Sequence, residues 1–223
     1  MRRLTILLLL ITLPVMLITA QSMTQSFSSR TGGTEASGSW DIQGGRLYQQ
    51  DTEESIATIH FRVPQYGKMQ YEFNVRYEKG GIEDRMGGFG MHVFADSMHN
   101  GRAWGVDGSY LLWINYDEDA TYGMPGFRAQ VYKSKDHSTM HIMEKYDVGL
   151  PVSVLKAENA DVKVPAKIIV DGDSGEVKVY DPTVSNYYYV FNLGDAPGNG
   201  NYFSLRTNSL SVSFDDLKIT KID

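Results

Sequence analysis

Hydrophobic and polar residues alternate most regularly between Met69 and Tyr77. Met69, Tyr71, Phe73, Val75 and Tyr77 share one parity, and every residue between them is polar or charged. A period of two over nine residues predicts a β-strand with one buried face and one face in solvent. The segment from Phe127 to Lys133 alternates in the same way and predicts a second strand of this kind.

Two apolar runs, Phe89–Ala95 and Tyr110–Tyr116, flank a polar, glycine-containing loop. Both runs are short and rich in aromatic and β-branched residues, which favours strands over helices. Both carry apolar residues on either parity, as strands do when both of their faces are covered. We therefore expect these two strands at the centre of a layered structure.

Turn signals support an all-β chain. Asp171–Gly175 separates two apolar runs and predicts a β-hairpin. In the last strand the apolar parity changes between Phe214 and Leu217, which predicts a β-bulge at Asp215 and Asp216.

Helical patterning is weak. Thr139–Tyr146 is predicted as a strand, although Met140, Ile142 and Met143 would also fit a helical turn. Pro151–Asp161 is the one segment predicted as a short helix. About a dozen short strands separated by glycine-rich turns predict an all-β fold, an antiparallel two-sheet jelly-roll sandwich.

Three features resemble the concanavalin A-like lectin/glucanase superfamily in its laminin-G-like branch. They are the Trp-x-x-x-x-Gly-x-Leu opening at Trp40–Leu47, the two-faced central strands, and the closing Ser-Phe-Asp-Asp-Leu-Lys-Ile at Ser213–Ile219. The resemblance implies a concanavalin A-like sandwich, but this superfamily includes sugar-binding modules, glycosidases and structural domains, so it selects no function. Arg102–Gly105 and Ser109–Trp113 are also similar to exported spirochaete proteins.

The N-terminal segment has the pattern of an export signal. Residues 1–20 begin with Arg2 and Arg3, continue with an apolar stretch and end with small residues. We expect this signal to be cleaved, followed by a flexible lead-in at 21–38, in which one edge strand around Phe27 is an alternative, and by one β-sandwich domain at 39–223. The expected location is periplasmic or secreted, with no membrane span after cleavage.

Charge limits the expected partners of the chain, and its cysteine content limits how it can be stabilised. The chain has 21 basic and 27 acidic residues, a net charge of −6, and no cysteine. An acidic surface repels phosphate backbones, so nucleic acid is not an expected partner. Without cysteine, no disulfide can contribute to stability.

Catalytic patterns are weak. The Glu-x-Asp-x-x-Glu strand of the superfamily's β-glucanases is absent, as is a Gly-x-Ser-x-Gly elbow. Asp117 and Asp119 share a parity and could face one groove as a glycosidase pair, although carboxylates at a loop tip are usually solvated. We predict no catalytic residue from the sequence.

A calcium site is one interpretation of the loop between the central strands. Asp96, Asn100 and Asp107 supply oxygen donors at a rim where laminin-G-like relatives often hold calcium. Asp and Asn are also ordinary turn residues, and that second interpretation stays open.

A ligand-binding face is predicted from strand parity. If Ala129 and Val131 face the core, their polar and aromatic neighbours face outward on a middle strand. Trp113 and Tyr132 could instead only cover a second sheet. The residues expected to line a concave polar groove are His92, Trp113, Asn115, Arg128, Gln130, Tyr132 and Arg206.

These observations favour an exported, non-catalytic β-sandwich that binds carbohydrate or a protein partner at the cell envelope. Two alternatives stay open: a glycoside hydrolase with a non-standard carboxylate pair, and a structural component of an envelope or periplasmic filament.

Overall fold

A computed structural model describes residues 22–29, 32–81, 87–117, 126–149 and 161–222 of the chain. No helix in these ranges is long and apolar enough to cross a membrane. The described elements are β1 (Ser22–Gln25), β2 (Gly33–Ser37), β3 (Trp40–Gln43), β4 (Arg46–Gln49), β5 (Ala57–Gln65), β6 (Lys68–Gly80), β7 (Gly88–Ala95), β8 (Ser109–Asp117), β9 (Gly126–Ser134), β10 (Met140–Ile142), a 3-10 helix (Glu144–Tyr146), β11 (Val148–Gly149), β12 (Val164–Asp171), β13 (Glu176–Tyr180), β14 (Tyr188–Asn192), β15 (Gly200–Asn208) and β16 (Leu210–Lys221).

The strands form two sheets, and the pairings are antiparallel. Sheet A has the order β14-β13-β12-β6-β16-β4-β3, with β1 also paired to β16. Sheet B has the order β10-β9-β8-β7-β15-β5-β2, with β11 also paired to β9. The predicted all-β, antiparallel two-sheet sandwich is confirmed, with β7 and β8 in the interior of sheet B.

The core lies between the facing sides of the two sheets. Phe214 of sheet A is fully buried, and its ring lies 6.0 Å from that of Phe73 and 6.4 Å from that of Phe89 in sheet B. Tyr71 stacks on Phe203 across the same interface, with ring centroids 5.7 Å apart. Aromatic side chains from both sheets therefore join the layers into one core.

Several local predictions are confirmed. Buried and half-buried residues alternate along β6 as the sequence pattern requires. β12 and β13 form the hairpin around Asp171–Gly175. The register of β16 shifts after Asp215, and Asp216 takes a positive φ of 51°, so the phase change is a β-bulge.

Other segments differ from expectation. Thr139–Tyr146 is a strand only at Met140–Ile142 and then turns into the 3-10 helix. The segment 21–38, expected as a flexible lead-in, contributes β1 and β2, and Phe27 between them is buried in the core. The helix expected at Pro151–Asp161 falls outside the described residues except for Asp161.

The end of β7 breaks the simple alternation. Val93 and Phe94 are neighbours, yet both are fully buried in the same core, because Phe94 has a positive φ of 55°. The backbone N–H of Phe94 donates to the side-chain oxygen of Gln65, 3.1 Å away, which also accepts from the hydroxyl of Tyr71. The buried amide of Gln65 thus accepts a hydrogen bond from the backbone N–H of Phe94, whose positive φ is unusual for a bulky residue.

Candidate binding face

The side of sheet B opposite the core, termed the outer face, collects all seven residues of the predicted groove. Strand register places Gln130, Trp113, Gly90 and Arg206 in one row across four neighbouring strands. Adjacent rows hold Tyr132, Leu111, His92 and Ser204, and Arg128 with Asn115. Strand parity therefore predicted correctly which side chains share this face.

Two glycines of β7 make room for Trp113. A Cβ atom at Gly88 would lie 2.2 Å from Cζ2 of Trp113, and one at Gly90 would lie 2.9 Å from Cε3. The indole therefore lies across β7 in contact with its backbone. It forms a small apolar cluster on the outer face with Leu111, Met140 and the half-buried Tyr132.

Arg206 is a buried cation between two indoles. Its guanidinium carbon lies 5.5 Å from the ring centroid of Trp113 and 5.2 Å from that of Trp104. Its Nη1 donates to the carbonyl oxygen of Trp104, and its Nε donates to Oδ1 of Asn208 at 3.0 Å. Both acceptors, a backbone carbonyl and a side-chain amide, are uncharged. Burial lowers the pKa of Arg206 to about 10, so the side chain remains protonated at neutral pH.

Arg128, on the same face, differs from Arg206 in having a carboxylate partner. Its guanidinium forms a buried ion pair with Asp147, and Nη2 also donates to the Asp147 carbonyl oxygen at 3.1 Å. This pair ties β9 to the segment after the 3-10 helix. We infer that Arg128 has a structural role rather than a ligand-binding one, because the side chains of both Arg128 and Asp147 are buried.

Two buried histidines lie beside Arg206. The hydroxyl of Ser109 donates to the Val106 carbonyl oxygen, so its oxygen accepts a hydrogen bond from Nδ1–H of His92, 2.8 Å away. Nε2 of His92 is then a bare acceptor, buried without a partner. Nε2 of His60 donates to the carbonyl oxygen of His99. Desolvation lowers the pKa of both rings, that of His92 well below its usual value, so both are neutral at pH 7.

The segment 96–108, termed the cover loop, lies over part of this face. It is attached through His99 to His60 on β5, through Trp104 to Arg206 on β15, and through the backbone N–H of Val106 to the Ser134 hydroxyl on β9. These residues were predicted to line a concave polar groove, with covered side chains as the alternative for Trp113, and His92, Trp113, Gln130 and Arg206 are all buried. The cover loop bonds to this face at His60, Arg206 and Ser134, so these four side chains do not form an accessible groove.

What remains accessible lies at the margin of the cover loop. Trp104 is 45% exposed although its backbone is bonded to Arg206, and its Nε1 donates to the Met140 carbonyl oxygen at 3.4 Å. Asn115 is half-buried, and its Oδ1 is buried without a partner. Trp104 is not among the residues predicted from strand parity, although a tryptophan within a polar, glycine-containing loop is a signal for a surface aromatic.

The three proposed calcium ligands only partly converge. The Asp96 N–H donates to the Asp107 carbonyl oxygen at 2.9 Å, and the Asp107 carboxylate accepts from Ser97. Asn100 is exposed within the loop between them. Among the described residues no group of three or more His, Asp or Glu side chains is placed to hold a metal. Two carboxylates fall short of the six to eight oxygens that calcium prefers.

The carboxylate pair considered for catalysis cannot be located. Asp117 ends β8, but its side chain, like all of Asp119, lies outside the described residues. Among the side chains that the structure describes on the strands of sheet B, the outer face contains amides, hydroxyls, imidazoles, guanidinium groups and rings, without a carboxylate.

No model of a known protein family matches this chain, and no curated protein matches it. Solved structures do. The VIP36 exoplasmic/lumenal domain, in its Ca²⁺/Man2-bound form, superposes with a TM-score of 0.65 at 13% identity, over 91% of this chain and 88% of that one. The carbohydrate-binding module CBM66 from Bacillus subtilis gives 0.59 at 15%, over 86% and 96%. The apo Crh5 transglycosylase gives 0.61 at 10%, over 92% and 85%.

The fold is a concanavalin A-like β-sandwich. The resemblance read from the closing and opening motifs is therefore confirmed at the level of fold. Identities of 10–15% establish the fold alone. One of these neighbours is a carbohydrate-binding module, one is a Man2-bound domain and the third is a transglycosylase, so the shared fold does not select a function.

Proposed function

We propose that this protein is an exported, non-catalytic β-sandwich that binds carbohydrate at the cell envelope, with Trp104 as its stacking surface. The observation that carries the proposal is the exposed indole of Trp104, held in place above the buried guanidinium of Arg206. Export rests on the signal pattern of residues 1–20.

A fixed aromatic ring suits a sugar ligand. The C–H face of a pyranose ring packs on an aromatic surface, while its hydroxyls need hydrogen-bonding side chains nearby. The Trp104 backbone is bonded to Arg206 and its Nε1 to β10, so little side-chain freedom remains to be lost on binding.

Hydrogen-bonding groups for the hydroxyls lie in the neighbouring row of the sheet. Asn115 and Asn208 flank Gly88 from opposite sides, and Asn208 accepts a hydrogen bond from Arg206. Asn115 is half-buried, and the amide group of its side chain can hydrogen-bond to a ligand hydroxyl. The described outer face has the composition of a sugar-binding surface rather than of the paired carboxylates of a glycosidase.

A glycan array followed by titration calorimetry tests the proposal. We expect the purified protein to bind a subset of glycans, and Trp104→Ala to weaken that binding at least about tenfold, as loss of one aromatic hot spot does. Tyr66→Ala is the matched control, because Tyr66 is 40% exposed in the turn after β5, where its ring faces Lys221. Absence of glycan binding, or equal affinity in Trp104→Ala, would refute the proposal.

A further inference from the structure

Strand β14 presents an unusually apolar surface to solvent. It is the last strand of sheet A, and its residues are exposed on both faces of the sheet. Tyr187, Tyr188, Tyr189 and Val190 are between 40% and 53% exposed, and Val184 in the preceding turn is 50% exposed. Such a contiguous patch of rings and β-branched side chains at a sheet edge marks an interaction surface.

This edge lacks the usual protection against strand pairing. Natural edge strands carry lysine, proline, a bulge or an inward charge. Strand β14 has the sequence Tyr-Tyr-Val-Phe-Asn, and its register with β13 is continuous, so none of these devices is present. Lys178 on the neighbouring strand β13 lies over the ring of Tyr188, but its charge is paired with Glu176.

The backbone of β14 offers a short open ladder. Asp181 N–H donates to the Tyr187 carbonyl oxygen and Leu193 N–H to that of Gly175, so odd-numbered residues of β14 bond to β13. The backbone groups of Tyr188 and Val190 therefore point away from the sheet. The Asn192 N–H also points outward, but it donates to the hydroxyl of Tyr146 at 3.2 Å.

The approach to β14 is rigid. The carboxylate of Asp181 accepts hydrogen bonds from the N–H groups of Thr183 and Val184, and Tyr187 N–H donates to the Val184 carbonyl oxygen. The rings of Tyr187 and Tyr189 meet edge to face, 5.2 Å apart. A patch ordered in this way loses little entropy when it is covered.

We propose that β14 pairs antiparallel with β14 of a second copy of this chain, around a two-fold axis at Tyr189. In this register Tyr188 of each copy faces Val190 of the other, and the two pairs form four hydrogen bonds from the outward groups of those residues. A register centred on Val190 would oppose Tyr188 to Asn192, whose N–H is already used.

Symmetry favours a second copy as the occupant. Each chain has a net charge of −6, but the residues of β14 are uncharged, so pairing along this strand places no charged side chain of one β14 against another. A two-fold contact needs a self-complementary surface, and this register places Tyr189 against Tyr189 and Tyr187 against Phe191. The inference is independent of the proposed sugar site, which lies on sheet B.

The contact is small. Five half-exposed side chains amount to roughly 400–500 Å² per copy, or roughly 900 Å² in total, below the ~1,200–2,000 Å² of stable interfaces. We therefore expect reversible dimers with a dissociation constant in the micromolar range or weaker.

Cysteine cross-linking tests the register, since the chain has no cysteine of its own. The two Tyr189 Cα atoms would lie about 4.5 Å apart in a non-hydrogen-bonded pair, within disulfide range. Those of Tyr188 would lie roughly 8 Å apart, beyond it. Under mild oxidation of the purified protein, Tyr189→Cys should form a covalent dimer at least about tenfold faster than Tyr188→Cys. Equal rates, or a faster Tyr188→Cys, would overturn the register.

Sedimentation equilibrium tests the dimer without a cross-link. The purified protein should associate reversibly as its concentration rises, and Val190→Lys should remain monomeric, because a charged side chain would replace the apolar one that faces Tyr188 of the other copy, and the two lysine Cα atoms would lie roughly 8 Å apart on the same face. Val162→Lys is the matched control, since Val162 is equally exposed (50%) but precedes β12, and it should dimerise like the parent. A monomeric parent protein, or a Val190→Lys variant that still dimerises, would overturn the proposal.

Discussion

At the scale of single residues, the outer face of sheet B concentrates buried basic groups. Arg206, His92 and His60 are each at most 2% exposed, and the described strands place no carboxylate among them on this face. Such an arrangement is stable only while both imidazoles stay neutral, because a further cation would lie beside Arg206.

This arrangement predicts acid sensitivity in a defined window. The folded pKa of His92 lies well below its usual 6.5, so the unfolded chain takes up the proton first. The contribution of neutral His92 to stability is fully present above about pH 6.5 and is lost as the pH falls from there toward the folded pKa. Between pH 7 and pH 5 the free energy of unfolding should therefore fall, with a slope of at most about 1.4 kcal/mol per pH unit for the one proton that His92 takes up on unfolding.

Urea denaturation of variants isolates the effect. His92→Asn keeps an amide donor for Ser109 and removes the titrating ring, so its stability should fall less than that of the parent over this range. His141→Asn, at an exposed histidine, should behave as the parent does. If His92→Asn lost as much stability as the parent between pH 7 and pH 5, the histidine would not be the cause.

Residue parity could be predicted from the sequence, and exposure could not. Alternation placed Trp113, Gln130 and Arg206 on one face, because side chains in a strand alternate by geometry alone. Their burial depends on the cover loop, whose path follows from hydrogen bonds to residues such as His60 and Ser134, distant in sequence. A tryptophan in a polar loop signals a surface aromatic, but its position above Arg206 depends on a long-range bond and could not be predicted from local pattern.

At the scale of elements, β8 has both faces covered, as its apolar residues on either parity predicted. Leu112 packs in the main core, and Trp113 lies in the outer cluster under the cover loop. The hairpin at Asp171–Gly175 and the bulge at Asp216 were also predictable, because turn and bulge signals are local. The 3-10 helix after β10 was not, since Met140 and Ile142 fit either structure.

Truncating a side chain on either face of β8 should therefore destabilise the protein. Leu112→Ala should cost about 2–5 kcal/mol and Trp113→Ala about 3–5 kcal/mol, the range for buried side chains, measured by chemical denaturation. Trp104→Ala, at an exposed indole, should cost less than about 1.5 kcal/mol. A Leu112→Ala protein as stable as the parent would show that β8 is peripheral, contrary to the structure.

At the scale of the whole molecule, the two sheets carry different surfaces. Sheet B offers the outer face with Trp104 at its margin, and sheet A ends in the tyrosine-rich edge of β14. The sandwich itself could be predicted from strand count and turn spacing. The division of surfaces could not, because edge and centre positions depend on strand order, which is set by long-range pairing.

Tryptophan quenching tests the central claim most directly. The chain has three tryptophans, and only Trp104 is substantially exposed, since Trp40 is 4% and Trp113 is 6% exposed. Acrylamide should therefore quench Trp104 selectively. With a bound glycan identified on the array, we predict that this accessible fraction of fluorescence becomes protected and its emission shifts to the blue. A glycan that binds while Trp104 remains fully quenchable would contradict the proposed site.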